Sequence, residues 1–186
     1  MEKTKTKRDC SEDLCLIVVG MAGSGKTTFV SNFKNHLLEN SNINTFVSNL
    51  DPVVMNVPYS CDYDIRKDFN HKEIMKKYKL GPNGGIMTCL NLFCAKIDNF
   101  ILQFESIQVN SSQQKVNFGK KEVPEVDKDK KIEKINNKEE IKEIKNIYLI
   151  DTPGQIEAFM WSASGEIITK SLSSTMRTAI CFILDR

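Results

Sequence analysis

No two of the six cysteines form a C-x-x-C pair; Cys10, Cys15, Cys61, Cys89, Cys94 and Cys181 are scattered along the chain. That scatter argues against a zinc site or a secreted disulfide framework, and it reads the thiols as small buried hydrophobes in a reducing compartment. The polar, lysine-bearing start is followed by no apolar signal core, and no run approaches the roughly eighteen apolar residues a membrane span needs. The expectation is a soluble, cytoplasmic chain without membrane contact. Charge is also scarce in net terms: +2 overall makes no case for a direct nucleic-acid partner. Glycine and proline number only nine and five, so a cluster of them carries weight. At 186 residues with 40% apolar content, the length fits one domain able to bury roughly 70% of its unfolded surface.

The densest glycine cluster is Gly20-Met21-Ala22-Gly23-Ser24-Gly25-Lys26-Thr27-Thr28, directly after the apolar run Cys15-Leu16-Ile17-Val18-Val19. G-x-x-x-x-G-K-[ST] between a strand and a helix is a phosphate-binding loop. Its glycines allow the backbone N–H groups to turn inward, Lys26 supplies a point charge for phosphates, and the Thr27 hydroxyl is available to Mg²⁺. The helix that follows shows an apolar stripe of Phe29, Val30, Phe33 and Leu37 and is expected to end near Glu39, before Asn40-Ser41-Asn42. Thr45-Phe46-Val47 resumes a strand that closes on Asn49-Leu50-Asp51-Pro52. α/β sheets place their chemistry at the carboxyl ends of strands, which nominates Asp51 for the nucleotide and metal site; an aspartate before proline is also a common turn starter.

Residues 1–13 read as a disordered arm with nothing to bury. Val53 to Asp68 shows no periodicity and reads as a long loop of the kind that a γ-phosphate orders in nucleotide switches. A short helix is expected over Lys72–Tyr78, a tight turn at Gly81-Pro82-Asn83-Gly84-Gly85, and a helix over Thr88–Leu102 with Leu90, Phe93, Cys94, Ile97, Ile101 and Phe104 inward. From 105 to 146, Lys, Glu, Asp, Asn and Gln dominate, as in a solvated low-complexity insertion that cannot repay its ordering entropy.

Strand pattern returns at Ile147-Tyr148-Leu149-Ile150 and ends in Asp151-Thr152-Pro153-Gly154-Gln155. After a phosphate loop, D-x-x-G supplies an aspartate for Mg²⁺ and a glycine whose N–H can approach the γ-phosphate, and Gln155 stands where a water-orienting glutamine is expected. Phe159, Met160 and Trp161 read as core anchors beyond it, and Ala179–Leu184 as a last buried strand. The fold expected is a P-loop NTPase of three α/β/α layers on a mostly parallel sheet. It reads as truncated after the strand ending near Leu184, so that residues 14–186 form a partial domain.

Together GMAGSGKTTFV, NLDP, DYDIR, LGPNGG, the run Cys89–Phe93, IDTPGQIE and FMWSASGEIIT resemble the GPN-loop GTPases, most of all the first of their eukaryotic subtypes. The resemblance implies hydrolysis of GTP to GDP with Mg²⁺ held by Thr27, Asp51 and Asp151, Gln155 and Asp51 in catalysis, and Gly154 beside the phosphates. It implies further that Asn83 reaches in trans into a partner's site, within a homodimer or a heterodimer with a related GPN-loop GTPase. By resemblance the role would be assembly and nuclear import of RNA polymerase II, with RNA polymerase II subunits as partners and passage between cytoplasm and nucleus. The N/T-K-x-D element that reads guanine is lacking; Asn137-Lys138-Glu139-Glu140 precedes Asp151 and ends in glutamate, so it is out of context. Two rivals stand beside this reading: a P-loop kinase of a small substrate, and a non-catalytic interaction fragment.

Overall fold

The computed structural model describes residues 13–40, 43–104 and 146–184. The arm expected over the first residues and the charged insertion fall on 1–12 and 105–145, outside the described residues. Two strands begin slightly before the sequence boundaries, at Asp13 and Asn146. Asn146 donates to Asp13 at 2.7 Å and accepts from Asn44 at 2.9 Å, a polar chain that ties three strand starts together.

Among the described residues, five parallel strands form one sheet in the order β3-β2-β4-β1-β5: β1 (Asp13–Gly20), β2 (Asn44–Asn49), β3 (Tyr63–Asp64), β4 (Asn146–Asp151) and β5 (Arg177–Ile183). The continuous apolar runs of β1 and β4 are what a parallel sheet covered on both faces demands. Alternation along β1 sends Cys15, Ile17 and Val19 to one face and Val18 to the other. Helix α1 (Lys26–Asn40) covers the Val18 face with Val30 and Leu37. The opposite face receives α4 (Pro82–Cys94), α5 (Ile97–Phe104) and α7 (Ala163–Thr175). There Phe93, Phe100 and Phe104 meet edge to face, and Phe104 packs on Tyr148 with ring centroids 4.6 Å apart. The result is an α/β/α sandwich of P-loop NTPase type.

Several expectations change. The segment Val53–Asp68 is not all loop: Tyr63–Asp64 pairs with β2 as β3, and Ile65–Asp68 forms the one-turn helix α2, capped by the Asp64 carboxylate. Helix α3 (His71–Tyr78) follows, capped by Asn70. Pro82 to Gly85 is not a turn but the start of α4, because proline at the first helical position loses no hydrogen bond and presets φ. The single helix expected over Thr88–Leu102 is two helices, α4 and α5, bent by 63°. After the one-turn helix α6 (Ile156–Phe159), Phe159 is buried as expected, but Met160 is exposed and Trp161 is 77% exposed. The helix ends at Phe159, and Met160 and Trp161 follow it in a turn that faces outward. The last strand, read as a buried-type strand beyond which the chain is truncated, stands at one end of the described sheet, and none of its residues is buried by the described residues. Among the described residues no single helix is long and apolar enough to cross a membrane.

Candidate functional site

Gly23 and Gly25 take positive φ, 82° and 91°, conformations that side chains resist and that turn successive amides toward one side of the loop. Ser24 N–H closes on the Met21 carbonyl at 3.2 Å, and Phe29 N–H on the Gly25 carbonyl at 2.8 Å, so the loop runs directly into α1. Lys26, buried, donates its ammonium to the Met21 carbonyl at 3.0 Å. Burial lowers its pKa, against the pull of the Asp151 and Asp51 charges. Thr28, Met21 and Ala22 lie on the exposed side.

Strands β1, β4 and β2 end side by side, which brings Asp151 and Asp51 to this loop. The Thr27 hydroxyl donates to Asp151 Oδ2 at 2.9 Å across 124 residues of sequence. The same oxygen accepts the Tyr59 hydroxyl at 2.7 Å, while Oδ1 is buried without a hydrogen-bond partner among the described residues. Thr152 donates to the Val18 carbonyl at 2.7 Å and fixes the tip of β4 against β1. Burial raises the pKa of Asp151, opposed by the bonds from Tyr59 and Thr27 and by Lys26, and reinforced by Asp51. Asp51 is raised too, first by burial, against the Val53 amide, Lys26 and the Gly154 and Val54 amides. Its Oδ1 accepts Val53 N–H at 2.9 Å, so the residue is a turn starter and a member of the cluster at once.

Gly154 belongs to the same place. A Cβ on it would stand 2.9 Å from Ala22 Cα, so only glycine lets this segment lie against the phosphate loop. Gln155 caps α6 by backbone position alone; its Oε1 is buried and has no partner among the described residues. Asn83 takes no part in the hydrogen-bonded cluster and is exposed on the first turn of α4.

Four supporting residues were given no role by the motif reading: Asn49 stands within NLDP and Asp64 and Arg66 within DYDIR, whereas Tyr59 belongs to no motif. Arg66 holds Asp64 bidentately at 2.6–3.1 Å and donates to the carbonyls of Val54 and Met55. Asn49 donates to Asp64 at 3.0 Å and accepts the Asp51 amide at 3.1 Å. Burial would raise the Asp64 pKa, but the bonds from Arg66 and Asn49 outweigh it and hold the carboxylate ionised. Tyr59 is the fourth. A lone aromatic in a stretch without periodicity gives no local signal; for Tyr59 only the length of that stretch between two strand ends pointed there.

The donors suit a hard cation. Among the described residues no three of His, Cys, Asp or Glu gather, whereas one hydroxyl, the buried Asp151 carboxylate with an orphaned oxygen and the partly buried Asp51 carboxylate are what Mg²⁺ takes from a protein when water and phosphate complete its shell.

Residues 18–186 match the family model described as a conserved hypothetical ATP-binding protein. The chain is similar to GPN-loop GTPase 1 of Schizosaccharomyces pombe, 43% identical over 97% of this chain and 39% of that protein. It is also similar to GPN-loop GTPase 1 of Saccharomyces cerevisiae, 41% identical over 91% of this chain and 35% of that protein. Among solved structures, an apo-form GTPase from Pyrococcus abyssi superposes with a TM-score of 0.61 at 24% identity, over 91% of this chain and 52% of that one; this likeness speaks for the fold alone. The chain thus spans well under half the length of these two curated relatives. The family match over most of the chain, the two relatives and the motif order agree, and the chain belongs to this P-loop family as a homologue of the GPN-loop GTPases.

Proposed function

We propose that this chain carries the nucleotide site of a GTP-binding and GTP-hydrolysing switch protein. The observation that carries the reading is the contact between Thr27 and Asp151, 2.9 Å, with Lys26 and Asp51 beside it. A hydroxyl from the phosphate loop and a carboxylate from the neighbouring strand tip then face one cation position.

Lys26 and the inward amides of 20–28 would bind the β and γ phosphates. Thr27, Asp51 and Asp151 would hold Mg²⁺, which when bound neutralises charge on the phosphate oxygens. Gln155, whose amide oxygen has no partner among the described residues, would accept a hydrogen bond from the attacking water and orient it. Gly154, packed on the loop, would offer its N–H to the γ-phosphate. The resemblance to GPN-loop GTPases supports a dimer in which Asn83 serves the partner's site, and its exposure leaves it free to do so. It also supports a role in RNA polymerase II assembly and import, with residence in cytoplasm and nucleus.

Phosphate release from GTP and from ATP, with and without a phosphoryl acceptor, tests the reaction class. Acceptor-independent release from GTP is expected; nucleoside diphosphate formed only with the acceptor, the phosphoryl group going to it and no free phosphate appearing, would make the protein a kinase. Asn83→Ala should lower turnover roughly 10²- to 10³-fold, the effect of removing one donor aimed at developing charge, with nucleotide affinity nearly intact. Unchanged turnover would remove Asn83 from the reaction.

A further inference from the structure

We propose that Tyr59 is a positioning residue for the metal-bearing carboxylate: with Thr27 it locks one oxygen of Asp151, which leaves the other oxygen free for the cation. The inference rests on the reading of Asp151 as a metal-holding group.

Three observations carry it. Tyr59 is buried, with its ring among Val18, Val30, Val47 and Leu149 and its hydroxyl on Asp151 Oδ2 at 2.7 Å. The segment bearing it is anchored on either side of the ring. Lys34, from α1, donates to the Ser60 carbonyl at 2.8 Å and to its hydroxyl at 2.7 Å. Asp62 accepts from and donates to the Val47 backbone, both at 2.8 Å. Finally, two donors converge on Oδ2 while Oδ1 is buried without any among the described residues.

A phenylalanine would fill the same space. What the hydroxyl adds is orientation, since the terminal torsion of an aspartate is broad and two donors on one oxygen narrow it. A carboxylate already turned need not be ordered when the cation arrives, and loss of such outer partners typically costs 10- to 100-fold in metal affinity.

The test is Tyr59→Phe in the full chain, with N-methylanthraniloyl-GDP as probe. The readouts are the Mg²⁺ concentration that half-saturates nucleotide retention, probe affinity in EDTA, and the ligand-free melting temperature. The half-saturating Mg²⁺ should rise about tenfold or more, while affinity in EDTA stays within about twofold and melting changes little. An unchanged Mg²⁺ requirement, or an equal loss of affinity in EDTA, would overturn the proposal.

Asp151→Asn separates the two levels: it should abolish the Mg²⁺ effect. If it leaves that effect intact, the metal-site reading falls and the role of Tyr59 with it. If it abolishes the effect while Tyr59→Phe does nothing, only the role of Tyr59 falls. Should Tyr59→Phe fail to fold, Lys34→Met, which loosens the same segment from α1, carries the test: a raised Mg²⁺ requirement supports the proposal and an unchanged one overturns it.

Discussion

Strand β1 has β4 on one side and β5 on the other, paired with both in parallel. Five of the six residues of β4 are buried, whereas none of the seven in β5 is. Ile180, Phe182 and Leu184 are 50%, 47% and 76% exposed. Among the described residues, the groups of the candidate site lie toward β4. Asp151 and Thr152 sit at its tip, Thr27 and Tyr59 bond to that tip, and the Asn49–Asp64–Arg66 chain braces the loop beyond β2. A carboxylate can be kept dehydrated and aimed only where packing excludes water and supplies donors, and this flank meets both conditions.

The contrast can be broken most forcefully through the core. Ile150, fully buried on β4, should cost about 2–5 kcal/mol when cut to alanine. Ile180→Ala, half exposed on β5, should cost less than about 1 kcal/mol. Chemical denaturation of the two variants beside the parent chain measures both, and equal losses would show that the flanks are packed alike.

A second test uses pH. Burial is the leading cause that raises Asp151 above the ordinary aspartate value of 3.8. A carboxyl raised by folding binds its proton more tightly in the folded state. The stability it contributes is therefore complete below the unfolded value and is lost as pH rises through the folded one. Without ligand, Asp151→Asn should melt above the parent at pH 7, and the advantage should vanish as pH falls below 3.8. An advantage that grows with acidification would reverse the sign and place Asp151 in a stabilising ion pair.

The same contrast explains what could be read from the sequence. Val-, Ile- and Leu-rich runs mark β1, β4 and β5 equally well, so all three strands were legible. The fate of β5 was not, because central or edge position depends on which strands pair and not on the run itself. The phosphate loop, Asp51, Asp151 and Gly154 were legible because each is tied to local grammar: a glycine pattern, a strand end, a D-x-x-G. Their convergence followed from parallel strands ending together.

Tyr59 was not legible. Its partner lies 92 residues away, and the aromatic stands in a stretch with neither period 2 nor period 3.6. Pro82 misled in the opposite direction: flanked by glycines it looks like a turn, and only the packing of Ile86, Cys89, Leu90 and Phe93 into the core shows that it opens a helix.

Titration with a non-hydrolysable GTP analogue, in Mg²⁺ and in EDTA, tests most directly whether Thr27 and Asp151 share one cation. The parent chain should bind at least about tenfold more tightly with Mg²⁺, and Thr27→Ala should lose most of that gain while keeping its affinity in EDTA. Binding by the parent chain that is indifferent to Mg²⁺ would contradict the account.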